Sequence, residues 1–270
     1  IYDKPLIYYP LSVLMLAGIK NILIIVNKGQ LGQFKKLLQN GERFGIKITY
    51  AEQSKPKGLP DAFILGKKFI NKDKIALILG DNFFYGQSLT SKLKTCVKLN
   101  SGCKILIHPV NKPELYGVVN TNYKNKITSI KEKPTKTKSN LAITGLYFFD
   151  NKVIEYSKSL KPSKRNELEI VDLLNKYRKK NKLNAEFLGR GGAWLDTGSI
   201  EDFYNTSTFV ATLENRQGFK IACLEEIALK YNWINKKGIK DAIKFYGSCT
   251  YSNYLKKLNK KNVKKNYCYR

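Results

Sequence analysis

The first residues in this chain that could do chemistry are Leu79-Gly80-Asp81-Asn82, directly after the apolar run Ile75-Ala76-Leu77-Ile78. Open α/β sheets bind ligands beyond the carboxyl ends of their strands. A carboxylate there suits Mg²⁺, which takes one or two carboxylates and fills its shell with phosphate oxygens and water. The same aspartate would serve equally well as a cap for the next turn. Gly191-Gly192-Ala193-Trp194-Leu195-Asp196-Thr197-Gly198 reads as a glycine-flanked loop with an acid near a large aromatic. It is either a second metal carboxylate or a turn with a core tryptophan and a capping Asp196 or Thr197. Lys131-Glu132-Lys133-Pro134 closes another apolar run. There Glu132 could accept from sugar hydroxyls and Lys133 could pair with a phosphate, or the three charges are an ordinary solvated edge. Gln53 to Gly58 offers an amide able to read a base edge and a glycine that lets the base lie close.

The elements that must position these residues follow from the apolar pattern. Ile22-Leu23-Ile24-Ile25-Val26 reads as a strand buried on both faces. Ile46 to Ala51, Ile75 to Leu79 and Lys104 to Ile107 are further strands. The segments Leu6 to Ala17, Gln30 to Gln39, Pro60 to Phe69 and Leu89 to Leu99 are helical, with Gly18 and Gly41 suited to end the first two. After residue 110 strands dominate: Tyr116 to Asn120, Ile127 to Lys131 and Ala142 to Phe149. A helix from Glu167 to Lys180 then precedes a strand from Ala185 to Leu188. From Phe203 onward the chain reads as helical, and Lys256 to Arg270 reads as a frayed basic tail. Alternating strands and helices imply an α/β domain with a mainly parallel sheet.

Composition excludes several classes. The 43% hydrophobic content and 26% charge of these 270 residues are those of a packed globular chain. No apolar run reaches the roughly 18 residues of a spanning helix, so no membrane role is expected. The start lacks the basic and apolar regions of a signal peptide, which makes the cytosol the expected compartment. The five scattered cysteines contain no Cys-x-x-Cys pair and read as reduced structural thiols. A net charge of +28 would suit a nucleic-acid partner. The lysines, however, are spread along the whole chain and no nucleic-acid-binding motif accompanies them, so nucleic acid is not the expected partner. His108, the single histidine, has no neighbouring acid or nucleophile in sequence and reads as structural.

Six segments occur in one order: Tyr2-Asp3-Lys4-Pro5, Leu79-Gly80-Asp81-Asn82, Tyr116-Gly117-Val118-Val119, Glu132-Lys133-Pro134, Thr144-Gly145-Leu146-Tyr147 and Trp194-Leu195-Asp196-Thr197-Gly198. In that order they resemble the sugar-1-phosphate nucleotidylyltransferases, most closely the thymidylyl branch, over roughly residues 1 to 250. The resemblance implies a Rossmann-like, mixed, mostly parallel sheet flanked by helices, of the nucleotide-diphospho-sugar transferase type. It divides the chain into a nucleotidyltransferase domain (1–218), a C-terminal helical extension (219–258) and a basic tail (259–270). The implied reaction moves a thymidylyl group from dTTP to glucose 1-phosphate and releases pyrophosphate. It would serve synthesis of deoxysugars such as dTDP-rhamnose for surface polysaccharide. By the same resemblance Asp81 and Asp196 hold Mg²⁺, with Lys133 and Arg165 as further catalytic charges. Gln53, Pro56, Gly58 and Asp81 take the nucleotide. Asn82, Gly117, Glu132, Lys133, Ile143, Tyr116, Thr144 and Tyr147 line the sugar site. Asn215 to Gly218 and Leu224 to Ala228 resemble a segment carrying oligomer contacts, which implies a homotetramer.

The chain departs from the family pattern in one respect. The family opens with a strand at the sheet centre and a G-G-x-G-T-R-L loop, followed by a Ser-Lys-Gln segment, and neither precedes Tyr2-Asp3-Lys4-Pro5 here. That loop cradles the triphosphate through backbone N–H groups. With Ile rather than Met at position 1, the expectation is a fragment that is inactive and poorly folded alone. Two rival readings remain open: a uridylyltransferase-type relative using UTP, and a non-catalytic sugar-nucleotide-binding protein.

Overall fold

Ten strands and their covering helices follow the alternation of apolar runs along the chain. The computed structural model describes residues 1–260. In chain order the elements are α1 (Tyr8–Leu16), β1 (Asn21–Asn27), α2 (Leu31–Leu38), β2 (Lys47–Gln53), α3 (Asp61–Leu65), α4 (Lys67–Ile70), β3 (Ile75–Ile78), β4 (Asn82–Gly86) and α5 (Leu89–Val97). They continue with β5 (Cys103–Pro109), β6 (Gly117–Thr121), β7 (Ile127–Glu132), β8 (Leu141–Phe149), α6 (Val153–Lys158), α7 (Ile170–Lys179), β9 (Leu183–Phe187) and β10 (Gly192–Asp196). Four helices close the chain: α8 (Ile200–Gln217), α9 (Leu224–Lys230), α10 (Lys236–Tyr246) and α11 (Thr250–Lys260).

The α/β sheet flanked by helices is as expected from sequence. Its pairing is mixed: β1 with β2 and β5 with β9 run parallel, and the other described pairs run antiparallel. The long, buried β8 organises the larger sheet. β5 follows one of its edges, while β3 and β6 share the other. Helix α1 is buried on all sides, as its nearly uninterrupted apolar sequence requires.

The structure corrects four sequence expectations. Gly191 to Gly198 is not simply a loop, because Gly192–Asp196 forms β10, paired antiparallel with β4. Pro60 to Phe69 is not one helix but α3 and α4, parted at Gly66, where a Cβ would crowd Ala62 O and Leu23. Strand β1 buries Ile22, Ile24 and Val26, but Leu23 and Ile25 are only half-buried because they border a cavity. Residues 256 to 260 of the expected frayed tail are helical, since Tyr251, Leu255 and Leu258 form a buried stripe against α9 and α10. The rest of that tail lies outside the described residues.

That cavity interrupts the sheet. β1–β2 is a separate two-stranded unit, and β3 pairs only with β8. Between them lies a space of about 1100 Å³, bordered by Leu23 and Ile25 on one side and Ala76, Leu77 and Ile78 on the other.

Two acids on α9 anchor the last helices. Glu225 accepts from Tyr246 Oη at 2.8 Å and Tyr251 Oη at 2.5 Å, and Glu226 accepts from Tyr254 Oη at 2.7 Å. Burial pushes the Glu226 carboxyl from its ordinary 4.5 up to about 7, with the Tyr254 hydrogen bond and Lys230 working against it. A carboxyl raised on folding favours the folded state most below its unfolded pKa, and that contribution is lost as pH rises through about 7. Urea unfolding is therefore expected to show stability falling from pH 5 to pH 8, by up to about 3 kcal/mol from this group. Glu226→Gln should flatten that fall, and an unchanged slope would show that Glu226 is not its source.

Candidate active site

The chain turns sharply after β3 and enters β4, so Asp81 sits between two strands whose partners differ. Leu79 N donates to Gly145 O on β8 at 2.9 Å. The Asp81 carbonyl accepts from Thr197 N at 3.0 Å and Thr197 Oγ1 at 2.7 Å. In the β4–β10 pairing Asp196 stands opposite Asn82. Residues 115 apart in sequence are thereby brought together at the end of one short ribbon.

Asp196 carries the electrostatic mark of this arrangement. Burial raises its carboxyl above the usual aspartate range, the Gly198 N–H at 2.9 Å works against that, and repulsion from Asp81 and Asp202 adds to it. Two half-buried carboxylates, with Lys133 drawing the Asp196 pKa back down, make a donor set that fits a hard divalent ion. Among the described residues no group of three or more His, Cys, Asp or Glu converges. Phosphate oxygens and water would complete the shell of such an ion, as Mg²⁺ prefers.

The expected sugar-side residues gather around β6, β7 and β8. Gly117 pairs with Glu132, and a Cβ on Gly117 would lie 3.3 Å from Glu132 Oε2 and 3.4 Å from Ile143 Cδ1. Burial raises the Glu132 carboxyl, and repulsion from Glu169 adds to that. Tyr147 is buried close enough for Glu132 to push its hydroxyl pKa up further. Tyr116 packs edge-on against Trp194 at 5.0 Å and feels the charge of Asp196. Lys133 is exposed and holds a left-handed φ of +39°, a strained conformation for a non-glycine residue. Arg165 clasps Glu169 through Nε at 3.2 Å and Nη2 at 2.7 Å. Thr144 is fully buried and its hydroxyl donates to Leu106 O at 3.0 Å, which ties β8 to β5. Asn82 is 3% exposed; its Oδ1 accepts from Gly145 N and Trp194 Nε1, and its Nδ2 donates to Asp81 Oδ1.

Most of the expected nucleotide-side residues border the cavity beside β3. Of these, Gln53, Pro56 and Gly58 line it, together with Leu79 and Gly80, whereas Asp81 is not part of its lining. Gln53 Nε2 donates to Asn27 Oδ1 at 2.9 Å across the β1–β2 pair. Gly58 has φ +95°, and a Cβ there would run into Leu168 O, while Leu168 N donates to Lys57 O at 2.7 Å. His108 stands apart on β5, its Nδ1 buried without a partner and its pKa lowered by burial.

The nucleotidyl transferase family model matches residues 1–212. The chain belongs to the nucleotidyl transferase family. Within it, a glucose-1-phosphate thymidylyltransferase of Neisseria meningitidis serogroup A is 48% identical over 261 residues, covering 97% of this chain and 91% of that protein. A solved structure described as a Bacillus anthracis glucose-1-phosphate thymidylyltransferase, in complex with sucrose, superposes with a TM-score of 0.72 at 35% identity. It covers 77% of this chain and 83% of that one. A UDP-glucose pyrophosphorylase complexed with UDP-glucose gives 0.68 at 26% identity, covering 78% of this chain and 88% of that one.

In this nucleotidyl transferase the sequence reading missed the role of Trp194, whose indole reaches across to Asn82. Its one signal was a large aromatic two residues before an acid. It also missed Glu169 as the partner that holds Arg165. The seating of Gly58 yields a test that needs no ligand. Gly58→Ala is expected to destabilise the folded chain by at least about 1 kcal/mol in urea unfolding without nucleotide. An unchanged midpoint would mean that the 54–60 loop is not seated on Leu168.

Proposed function

We propose that this chain transfers a thymidylyl group from dTTP to glucose 1-phosphate, giving dTDP-glucose and pyrophosphate. The observation that carries the reading is the β4–β10 pairing, which sets Asp196 beside Asp81. The thymidylyltransferase relatives, matched over nearly the whole chain, support it. In the reaction a sugar-phosphate oxygen bonds to the α-phosphorus as the bond to the bridging oxygen breaks, and pyrophosphate leaves with that electron pair. The attacking oxygen is already anionic, so no proton need move. Asp81 and Asp196 hold Mg²⁺, which supplies neutralisation of phosphate charge when bound.

The remaining residues bind and orient. Gln53 offers an amide donor and acceptor to the O4 and N3–H of thymine, with Pro56 and Gly58 shaping the approach. Glu132 accepts from sugar hydroxyls, and Gly117, Ile143, Tyr116 and Tyr147 form the wall. Lys133 lies against the transferring phosphate. Arg165 exchanges its carboxylate partner Glu169 for the sugar phosphate. A strand ending in a glycine-rich loop fills the gap between β1 and β3 in the active enzyme, the loop holding the triphosphate. Support for that comes from an apolar cavity flanked by two strands that each pair on one side only. Assembly as a homotetramer belongs to the same proposal and rests on the resemblance alone; a cytosolic location is proposed with it.

A version carrying such a strand and loop ahead of Ile1 is expected to release pyrophosphate from dTTP and glucose 1-phosphate. Residues 1–270 alone should run at least about 100-fold slower. In the active version Asp81→Ala and Asp196→Ala should each cost about 100-fold or more, and retained turnover would sink the metal assignment. A uridylyl reading has one observation in its favour, the likeness to UDP-glucose pyrophosphorylase, and the Gln53 amide pairs with uracil equally well. With dTTP and UTP at equal concentration, dTDP-glucose should dominate the product; excess UDP-glucose would reverse the assignment.

A further inference from the structure

The side chain of Asn82 links the turn at Asp81 to β8 and β10. It is 3% exposed, at the first position of β4, and its Oδ1 has two neighbours that can only donate. Trp194 Nε1–H donates to it at 2.6 Å and Gly145 N–H at 3.1 Å. A flipped amide would set its own N–H groups against both donors, so chemistry permits one orientation. In that orientation Nδ2–H points at Asp81 Oδ1, 2.9 Å away. The close approach of Gly145 depends on its missing side chain, because a Cβ there would come within 2.5 Å of Asn82 Oδ1. The same glycine accepts from Leu79 N, so the turn bearing Asp81 and the amide that touches it are fixed to one point on β8.

We infer that Asn82 is a positioning residue: locked by Trp194 and Gly145, its amide holds Asp81 Oδ1 and leaves Oδ2 as the oxygen offered to the metal. The inference rests on the reading of Asp81 as a metal ligand. It makes the Trp194 indole N–H, one strand away, part of what sets metal affinity. Carboxylates that hold metals gain orientation from such hydrogen bonds, and removing the partner typically costs about 10- to 100-fold in affinity.

Mn²⁺ titration of the full chain, read by electron paramagnetic resonance of the free ion, tests this without turnover. Trp194→Phe keeps an aromatic ring in the packed position and removes only the indole N–H, and Asn82→Ala removes the amide. Each is expected to weaken Mn²⁺ binding at least about 10-fold, with Trp194→Phe leaving the metal-free thermal midpoint nearly unchanged. Asp81→Ala should abolish the binding. If Asp81→Ala abolishes it while Trp194→Phe and Asn82→Ala bind within twofold of the parent, the positioning role is overturned and the metal assignment stands. Binding that survives Asp81→Ala overturns the assignment on which the inference rests.

Discussion

Two carboxylates of like charge must be held close together before any metal or phosphate arrives, and much of this fold bears on that requirement. Asp81 and Asp196 repel each other, and burial raises the cost of keeping Asp196 ionised. Neither could stay in place on a free loop. Asp196 ends β10 and is steadied by the Gly198 N–H, while the Asp81 carbonyl takes two bonds from Thr197. The ribbon of β4 and β10 therefore fixes both acids from both sides, and β8 anchors the turn between β3 and β4 through Gly145.

Helix α8 starts immediately beyond this loop, capped by Ser199, whose Oγ accepts from Asp202 N at 3.0 Å. Its last turn reaches the other end of the chain, where buried Lys4 pairs with Glu214 at 2.7 Å and Lys220 pairs with the same carboxylate at 2.6 Å. Asp3 bonds to both lysines. Charges this deeply buried persist only when mutually paired, and deleting one partner typically costs about 3–5 kcal/mol. One helix thus ties the loop after Asp196 to the segment around Tyr2-Asp3-Lys4-Pro5, two parts of the chain far apart in sequence.

The sequence revealed unequal parts of this. Continuous apolar runs such as Ala142 to Phe149 were legible as strands because burial on both faces leaves no other use for them. Strands β4 and β10 were not, because Asn82-Phe83-Phe84-Tyr85-Gly86 and Gly192-Ala193-Trp194-Leu195-Asp196 contain turn formers at their ends and pair only with each other across the chain. Gly145 looked like a motif letter, yet its meaning is a distance to Asn82 that no single segment contains. Asn82 and Thr144 are both buried, and their partners, Gly145 and Trp194 for one and Leu106 for the other, lie on strands distant in sequence, so neither contact was legible locally. The end of helix α11, residues 256 to 260, was read as tail because its apolar stripe is sparse among lysines and asparagines and finds a partner only when α9 and α10 are in place.

The gap in the sheet also bears on how molecules of this chain behave toward one another. β1 and β3 each present a row of unpaired N–H and C=O groups along an apolar opening. Such edges act as templates for strands from neighbouring molecules. The opposing influence is the charge of +28, which keeps copies apart by repulsion until salt screens it. Added salt therefore acts on these edges indirectly, by weakening the repulsion that opposes pairing along them.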